Sequence, residues 1–378
     1  MHLPELIALY WPLALFILFA FFSFIQVFYY LFFFMRLAFY KKKPREISQT
    51  HAVSVIVCAR DEAENLANNL PGILVQNYKT THEVIVVNDN SFDESKYLLE
   101  ALQKEFRQLK IVELTQEAKM IPGKKFPLSI GIKSAAHEIL LLTDADCVPA
   151  SEHWIDNMQH CYEDKTEIVL GYGAYHKQKG LLNKLVRWET FFSALQYLSY
   201  ALAGLPYMGV GRNLSYKKNV FFRHKGFSAH NKITGGDDDL FVNMAANKHN
   251  TVINVEQENF TLSKPPQNWR QWKKQKARHY TTSKFYKASH KFLLALFALS
   301  QFLYYPLLIL AAVFYNWEYA LAIFAFRLII QLIMLGKTLY RLNEKDLFPW
   351  MLLFDIWMFF YYLIFAPALF RKAKPVWM

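Results

Sequence analysis

Long apolar runs near the two ends of the chain define its gross organisation. The first run, Leu6–Phe34, contains no charged residue. It exceeds the roughly 20 apolar residues that a helix needs to cross a bilayer, and the apolar core of a signal peptide, about 7–15 residues, is shorter. The pattern predicts an uncleaved anchor at the N-terminus and three further membrane-spanning helices in the C-terminal third: Phe292–Tyr315, Tyr319–Leu335 and Phe348–Phe370.

The charges that flank these runs predict their orientation. The basic cluster Lys41–Arg45 follows the first run, so the positive-inside rule places it in the cytosol and the N-terminus outside. Lys337, Arg341 and Lys345 place the loop before the last run in the cytosol as well. The basic tail Arg371–Lys374 conflicts with the outside C-terminus that follows. The last run is therefore either re-entrant or interfacial, or the rule is overridden there.

Two charged residues, Arg327 and Asp355, lie inside the apolar runs. Ionisable groups at membrane depth often mark functional sites. Two opposite charges can also pair with each other or extend to the interface. We expect the latter for Arg327 and Asp355.

Between the first and second apolar runs, short β-branched segments alternate with segments of helical periodicity. Apolar strands that alternate with helices are typical of an α/β domain with a mainly parallel sheet covered on both faces. Ligands of such sheets bind beyond the carboxyl ends of the strands. The predicted strands are Val53–Val57, Val84–Val87, Ile111–Leu114 and Ile139–Leu142, and the predicted helices are Asp61–Val75, Asp93–Phe106 and Pro127–Ala136.

Polar residues follow three of these strands, at Arg60–Glu62, Asp89–Ser91 and Asp144–Asp146. The carboxylates of Asp144 and Asp146 are hard oxygen ligands of the kind that bind Mg²⁺ or Mn²⁺ together with substrate phosphates. Asp89 is suited to accept hydrogen bonds from a base or ribose, and also to cap the next helix. The carboxyl edge of the sheet is therefore the predicted site.

Two glycine-containing turns add further charge. Gly123–Lys125 precedes a helix, where lysines either neutralise a diphosphate or are simply solvated, and the spacing is not that of a P-loop. Gly235–Asp239 ends in Asp237, Asp238 and Asp239. Adjacent carboxylates repel each other, which raises at least one pKa and provides a candidate general base. A helix N-terminus explains one acid well and three acids less well.

The segment Trp269–Tyr280 is rich in basic and aromatic residues just before the second apolar run. It predicts an amphipathic helix at the bilayer surface, with one group of side chains towards the lipid headgroups: Trp269, Trp272, Lys273 and Lys274. Arg278 and His279 can instead face the site and contact phosphates. The long aromatic stretch Leu181–Leu205 is either a second interfacial helix or part of the core.

Composition narrows the class of protein. The chain of 378 residues is 53% hydrophobic, 17% aromatic and 20% charged, which excludes a disordered protein. Its net charge is +12, but the basic residues cluster beside apolar runs, so we expect a membrane partner and no nucleic acid. Three cysteines form no disulfide framework and fit a reduced cytosolic compartment.

Taken in order, these motifs resemble those of membrane-bound family 2 glycosyltransferases with a GT-A fold. The resemblance extends from residue 53 to residue 279. It implies an N-terminal anchor (1–40), a cytosolic GT-A domain (41–265), an interfacial segment (266–290) and C-terminal membrane helices (291–378). The matching stretches are VSVIVCARDEAENL, VIVVNDNSFDES, GKKFPLSIGIKSA, LLLTDADC, MGVGRNLSYKK, TGGDDDL and QKARH.

The resemblance also implies roles for individual residues. Asp144 and Asp146 match the DxD motif, the first near nucleotide and sugar and the second on the metal. Asp237 best fits the catalytic base, within a register that leaves Asp238 open. The nucleotide would lie against Ala59, Arg60, Glu62, Asp89, Lys125, Gln275, Arg278 and His279, and Gly211, Arg212 and Asn213 would shape the donor and acceptor pocket.

The implied activity is inverting transfer of a sugar from a UDP-sugar, with Mg²⁺ or Mn²⁺, to a membrane lipid or lipid-linked acceptor. The implied location is a bacterial inner membrane. His279 replaces the tryptophan that ends the family's QxxRW motif, which argues against processive synthesis. A processive polysaccharide synthase and a catalytically silent scaffold are the alternatives, and a transporter is disfavoured because the apolar runs contain few charges.

Overall fold

The computed structural model describes residues 3–41, 51–115 and 123–367. The basic cluster beyond Lys41 and the tail Arg371–Lys374 lie outside these residues. The orientation inferred from them stays a prediction.

Ten strands form two sheets in the described central domain. A seven-stranded sheet has the spatial order β3-β2-β1-β4-β8-β6-β9, and a three-stranded sheet has the order β5-β10-β7. The strands are β1 (Val53–Ala59), β2 (His82–Asp89), β3 (Leu109–Leu114), β4 (Ile139–Asp144), β5 (Cys147–Pro149), β6 (Ile168–Leu170), β7 (Gly173–Tyr175), β8 (Leu214–Lys217), β9 (Thr251–Ile253) and β10 (Thr261–Ser263).

The helices of the described residues run from the N-terminal anchor to the C-terminal bundle. They are α1 (Leu3–Tyr29), α2 (Met35–Ala38), α3 (Ala63–Leu74), α4 (Ser95–Glu105), α5 (Lys125–Ser134), α6 (Trp154–Gln159), α7 (Leu181–Leu202), α8 (Lys218–Arg223), α9 (Asp239–Ala245), α10 (Trp269–Ser283), α11 (Ala288–Phe314), α12 (Trp317–Arg341) and α13 (Met351–Phe365).

The first four strands of the large sheet are parallel, as predicted. Val55 of β1 pairs with Val84 on one side and Leu141 on the other, and every residue of β1 is buried. α5 approaches so closely that a Cβ on Gly131 would come within 2.8 Å of Ile56 and 3.0 Å of Val87. Helices therefore cover both faces, which is why the strands read as continuous apolar runs rather than alternating ones.

The sequence patterns did not reveal the far half of the architecture. β8 lies antiparallel between β4 and β6, and β5 of the three-stranded sheet begins shortly after β4 ends. These strands contain only three or four residues. A run this short carries too little periodicity to be distinguished from a loop.

Four helices are long and apolar enough to cross a membrane: Tyr10–Ala38, Ala288–Phe314, Trp317–Arg341 and Lys345–Phe365. The first contains a π-helical turn at Tyr30–Phe34. α1 packs along α11 and also contacts α12. Arg327 and Asp355, which were expected either to pair or to extend to the interface, pair with each other: Arg327 Nη1 donates to Asp355 Oδ2 over 2.7 Å.

α7 is a core helix rather than an interfacial one. Trp188 lies 5.5 Å from Phe354 of the last span, and Tyr200 stacks on Phe33 of the first at 4.4 Å between ring centres. The Tyr197 hydroxyl donates to the Gly171 carbonyl beside β6 over 2.7 Å. One helix thus connects the sheet with two membrane helices and holds the central domain against the bundle.

A buried ion cluster reinforces this contact. Arg187 of α7 donates through Nε to Glu344 Oε2 over 2.9 Å and through Nη1 to Asp346 Oδ2 over 2.8 Å. Glu344 also accepts from the Tyr172 hydroxyl, 3.2 Å away. The loop between α12 and α13 is therefore attached to the domain by charge-assisted hydrogen bonds.

α10 corresponds to the predicted amphipathic segment, but one of its tryptophans differs from the prediction. Trp272 is 1% exposed and packs on Phe365 with ring centres 5.5 Å apart, so it faces α13 and not the lipid headgroups. Trp269 remains half exposed. Buried Lys276 pairs with Glu189 of α7. The helix is attached by its apolar side to the bundle because aromatic side chains of α13 cover that side.

Candidate active site

The carboxyl edge of the large sheet gathers a group of carboxylates. β4 ends at Asp144, next in register to Cys58 of β1, and Asp146 follows in the turn before β5. Glu62 lies in the loop after β1. Its pKa is raised by burial and then by repulsion from Asp146 and Asp144. Carboxylates from two neighbouring strand ends therefore converge, as parallel strands require.

Lys124 neutralises part of this charge through an ion pair with Asp144. Burial alone would raise the pKa of Asp144, but the Lys124 ammonium, with Arg212 and Arg278 behind it, outweighs burial and lowers that pKa. The pKa of Asp146 is raised, first by burial and then by Asp144. Asp144 is thus held ionised and Asp146 lacks an equivalent cation, so the pair attracts further positive charge.

Two glycine turns bring the acidic segment to the same place. Gly123 has φ +76°, a left-handed conformation that favours glycine, and a Cβ there would lie 3.8 Å from the backbone of Gly235. Gly235 itself has φ +97°. Because the two turns touch, Asp237 lies close enough to Lys124 to help raise the pKa of that ammonium, after Asp144. Lys124 therefore pairs with Asp144 and also interacts electrostatically with Asp237.

The three adjacent aspartates have different surroundings. Asp238 accepts from the Gly211 amide through Oδ2 and from the Asp239 amide through Oδ1, both over 2.7 Å. Asp239 is buried and accepts from the hydroxyls of Thr282 and Tyr286. Asp238 thus caps α9, and Asp239 anchors the end of α10. These contacts leave Asp237 as the member of the segment that interacts with the Lys124 side of the site.

Arg212 forms a positively charged side of the site. Its guanidinium lies 4.4 Å from the ring centre of Tyr175 and donates to Ser263 Oγ over 2.8 Å. Gln275 Nε2 in turn donates to the Tyr175 hydroxyl over 3.0 Å. Arg212 and Arg278 both lower the pKa of Asp144, so both face the carboxylate group. Gln275 of the interfacial helix thus supports Arg212 through Tyr175.

The donor set at the strand end fits a divalent cation. Ligand atoms of Asp144, Asp146 and Cys147 all lie within 4.8 Å of one another. The buried Cys147 thiol donates to Asp146 Oδ1 over 3.3 Å. The two carboxylates carry more negative charge than the neighbouring cations neutralise, so they suit Mg²⁺ or Mn²⁺. Water or phosphate oxygens fill the other coordination positions of such an ion.

The predicted base-binding loop is ordered by its own hydrogen bonds. Asp89 ends β2 with no exposed surface, and Asn90 follows with φ +53° and donates to Asp89 Oδ1 over 3.1 Å. Asp93 accepts from Ala63 N over 2.8 Å and from Ser95 N over 3.0 Å, so it caps α3 as well as its own helix. The loops after β1 and β2 therefore form one unit.

Several predicted residues lie differently from what their roles imply. Lys125 does not pair with Asp144 and instead donates to the carbonyls of His230 and Ile233 over 2.6 and 2.9 Å. Lys124 takes the position at Asp144. Asn213 is fully buried and bonded to the carbonyls of Tyr172 and Asn259. Ala59 and Gly211 are buried and contribute backbone, while Arg60 and His279 are exposed.

Three residues of the site were missed by sequence reasoning. Lys124 belongs to the Gly123–Lys125 motif that the sequence singled out, but the role near the donor was assigned to its neighbour Lys125. Cys147 directly follows the DxD motif and its adjacency was a usable signal. Tyr175 gave no signal in the sequence, because it lies in a strand of three residues and contacts Arg212 only in the folded structure.

The α/β sheet thus presents paired carboxylates at its carboxyl edge, beside an acidic turn and two arginines. Residues 54–232 match the family model described as glycosyl transferase family 2. A poly-beta-1,6-N-acetyl-D-glucosamine synthase of Staphylococcus aureus is 25% identical over 148 residues, which cover 38% of this chain and 34% of the relative. The chain thus matches about a third of that relative's length.

An uncharacterised glycosyltransferase of Haemophilus influenzae is 26% identical over 180 residues, 46% of this chain and 54% of the relative. Among solved structures, a mannosyltransferase from Pyrobaculum calidifontis in complex with GDP-Man and Mn²⁺ superposes with a TM-score of 0.55 at 17% identity, covering 90% of this chain and 99% of its own. The fold is therefore GT-A. Residues 54–232 therefore form a glycosyl transferase family 2 domain, and the matches support a glycosyltransferase.

Proposed function

We propose that this protein is an inverting, non-processive glycosyltransferase that moves a sugar from a nucleoside-diphosphate donor, a UDP-sugar, to a membrane lipid or lipid-linked acceptor. The observation that carries the proposal is the ion pair between Lys124 and Asp144, which lies within electrostatic reach of Asp237. It links the carboxylate pair suited to a metal with the candidate base. The remaining assignments follow from the groups around that lysine.

The donor would lie along the carboxyl edge of β1, β2 and β4. Asp89 would accept hydrogen bonds from the base, with Arg60 and Glu62 bordering the nucleotide. The Pyrobaculum relative is in complex with a guanine nucleotide sugar, so the choice of base needs its own test. The QxxRH residues Gln275, Arg278 and His279 would close the other side.

Asp237 is the candidate general base. An acceptor hydroxyl is a weak nucleophile until a carboxylate takes its proton during attack on the anomeric carbon. Asp238 and Asp239 support it structurally, since their hydrogen bonds hold the helix start and α10 in place. One displacement by the acceptor inverts the anomeric configuration, and the protein forms no covalent intermediate.

Departure of the diphosphate is favoured by positive charge on the opposite side. Lys124, Arg212 and Arg278 are positioned to stabilise the negative charge that develops on the leaving phosphate. Asp144 and Asp146 would hold Mg²⁺ or Mn²⁺, with the Cys147 thiol beside them. When bound, such an ion neutralises phosphate charge and orients the leaving group.

The acceptor side faces the membrane. α10, which supplies the QxxRH residues, packs against the last span through Trp272 and Phe365. Arg270, Lys273 and exposed Trp269 lie on the same helix, a composition suited to lipid headgroups. This arrangement supports a catalytic domain on the cytoplasmic side of a bacterial inner membrane and an acceptor delivered from the bilayer.

A processive polysaccharide synthase is the second candidate, because the Staphylococcus aureus relatives carry that name. His279 in place of the motif's tryptophan favours single transfer. The experiment is to incubate the protein, purified in lipid nanodiscs, with a panel of UDP- and GDP-sugars and a membrane lipid extract, with Mn²⁺, Mg²⁺ or EDTA. Mass spectrometry of the products should show one added sugar, only with metal. Long products would favour the synthase, and no turnover with any donor would contradict both.

A further inference from the structure

A cleft separate from the carboxylate site lies where the membrane helices meet the catalytic domain. Its volume is about 860 Å³, within the range of roughly 300–1,000 Å³ that is typical of small-molecule sites. The lining comes from the cytosolic-domain ends of α2 and α12 and from the turn before β10: Ala38, Gly336, Lys337, Tyr340, Arg341, Val255, Glu256, Gln257 and Glu258.

The membrane-helix side of the cleft carries two cations. Lys337 is exposed, with its ammonium 4.8 Å from the ring centre of Phe39. Arg341 donates through Nη2 to the Tyr40 carbonyl. Two cations on one wall of the cleft suit a phosphate group, since Arg and Lys are the usual phosphate ligands of proteins.

The domain side of the same cleft carries two carboxylates, Glu256 and Glu258. A site with cations on one wall and carboxylates on the other matches a ligand that carries both charges. An ammonium group with N–H donors suits the carboxylates better than a quaternary one, because it can also form hydrogen bonds.

Apolar surface continues from the cleft along the membrane helices. Phe39 and Met35 of the first span are 50% and 42% exposed, and Ile333 and Ile329 of α12 are 47% and 57% exposed. In a bilayer these side chains contact acyl chains. A ligand that has a zwitterionic head and long chains therefore fits both parts of this surface.

We propose that the cleft binds a phospholipid with a primary-amine headgroup, with its phosphate on Lys337 and Arg341 and its ammonium on Glu256 and Glu258. This lipid is a positioning ligand and not the sugar acceptor, because the cleft is formed by residues apart from the carboxylate site.

The cleft has a physical connection to the active site. Gln257 Nε2 donates to the Tyr340 carbonyl over 3.2 Å, so the turn is joined to α12. Two residues on, the Asn259 carbonyl accepts from Asn213 Nδ2 over 2.7 Å. Asn213 directly follows Arg212, the guanidinium that faces Asp144. A headgroup that holds this turn against α12 would steady the backbone that carries Arg212.

The test measures lipid retention rather than activity. Full-length protein in detergent is mixed with equal amounts of phosphatidylethanolamine, phosphatidylcholine and phosphatidylglycerol with identical acyl chains, and bound lipid is counted by native mass spectrometry. We expect phosphatidylethanolamine to be retained about threefold to fivefold over the other two, the size expected from one partly exposed ion pair. Soluble phosphoethanolamine should compete poorly, because it lacks the chains.

Variants locate the site. Glu258→Gln should remove the preference over phosphatidylglycerol, and Lys337→Gln should weaken retention of all three lipids. Lys104→Gln and Glu105→Gln, exposed residues of α4 outside the cleft and the membrane helices, are the matched controls and should behave like the unmodified protein. Equal retention of the three lipids would overturn the proposal, as would an unchanged preference in both cleft variants or an equal loss in the controls.

Discussion

The buried charges of the membrane bundle and those of the sheet edge are balanced in opposite ways. In the bundle, Arg327 donates to both oxygens of Asp355, over 2.7 and 3.2 Å, and to Gln26 Oε1 over 2.8 Å. Asp355 also accepts from Gln331 and Tyr305. Four helices thus supply one neutral network in which each charge has partners.

The sheet edge has a surplus of carboxylates. Asp144 is paired with Lys124, but Asp146 and Glu62 have raised pKa values because burial and neighbouring carboxylates disfavour their ionised forms. Asp238 and Asp239 show the same effect. Arg212 offsets only part of this charge.

The difference separates a structural role from a chemical one. A buried pair that is fully hydrogen-bonded fixes the arrangement of helices and has nothing left to offer a ligand. A group of carboxylates with raised pKa values gains free energy when a cation or a proton arrives, which is what a metal site and a general base require. The predictions below test whether that distinction holds, beginning with the largest effect.

Replacing the candidate base should nearly abolish transfer. We expect Asp237→Asn to lower kcat by about 10²–10⁴-fold, the contribution of a positioned general base. The amide keeps the size of the side chain but cannot take the acceptor's proton. Turnover of donor is measured in nanodiscs, and nucleotide affinity by calorimetry.

Nucleotide binding separates this role from misfolding. Binding by Asp237→Asn should stay nearly unchanged, and Asp164→Asn, at an exposed site on the same domain, should be fully active. A variant that loses nucleotide binding as well would show that Asp237 acts in donor binding and not as the base.

Breaking the membrane pair should affect stability instead. Asp355→Ala leaves the Arg327 guanidinium without its counter-ion, and losing one partner of a buried pair costs about 3–5 kcal/mol of unfolding free energy. We expect a large drop in the thermal unfolding midpoint in detergent. Activity per folded molecule should be unchanged.

The double variant Arg327→Leu, Asp355→Leu provides the control. Because it removes both charges together, it should recover most of the stability lost by Asp355→Ala. If Asp355→Ala instead retained its stability and lost turnover, the bundle network would have a chemical role and the comparison would fail.

Adjacent lysines offer the next contrast. Lys124→Met removes a cation from the leaving-group side, and we expect a loss of about 10²-fold in kcat, the scale of one preorganised charge. Lys125→Met leaves the carbonyls of His230 and Ile233 without their donor, which costs about 1–3 kcal/mol of stability. Its kcat should change little. If Lys125→Met lowered kcat and Lys124→Met lowered only stability, Lys125 would be the lysine that lies near the sugar donor.

The parallel half of the fold was predictable because its strands are long and apolar. β1, β2 and β4 are each at least six residues and are buried on both faces, so composition alone marked them. The DxD motif could be located for the same reason, since it follows β4. Two opposite charges at membrane depth suggested that Arg327 pairs with Asp355, but they left extension to the interface open.

What escaped prediction depends on long-range contacts. The choice between Lys124 and Lys125 is set by the left-handed turn at Gly123, which rotates one side chain towards Asp144 and the other beneath Ile233. Trp272 was assigned to the lipid surface, because a sequence does not tell which apolar face a neighbouring helix will cover. The docking of Arg187 on Glu344 joins residues 157 apart in the chain.

The last prediction is a pH dependence of stability at Asp238. Burial and the carboxylates of Asp237 and Asp239 raise its pKa to about 8, whereas an unfolded chain's aspartate titrates near about 3.9. The folded protein therefore keeps a proton that the unfolded chain releases. The stability this provides is full below about pH 4 and is lost as the pH rises through about 8. Asp238→Asn removes the titration, so its unfolding midpoint should fall less steeply than that of the unmodified protein between about pH 5 and 8. Asp164→Asn should follow the unmodified curve. Parallel curves for Asp238→Asn and the unmodified protein would mean that the carboxylate surplus at the sheet edge is already neutralised in the folded state, and the contrast with the membrane pair would disappear.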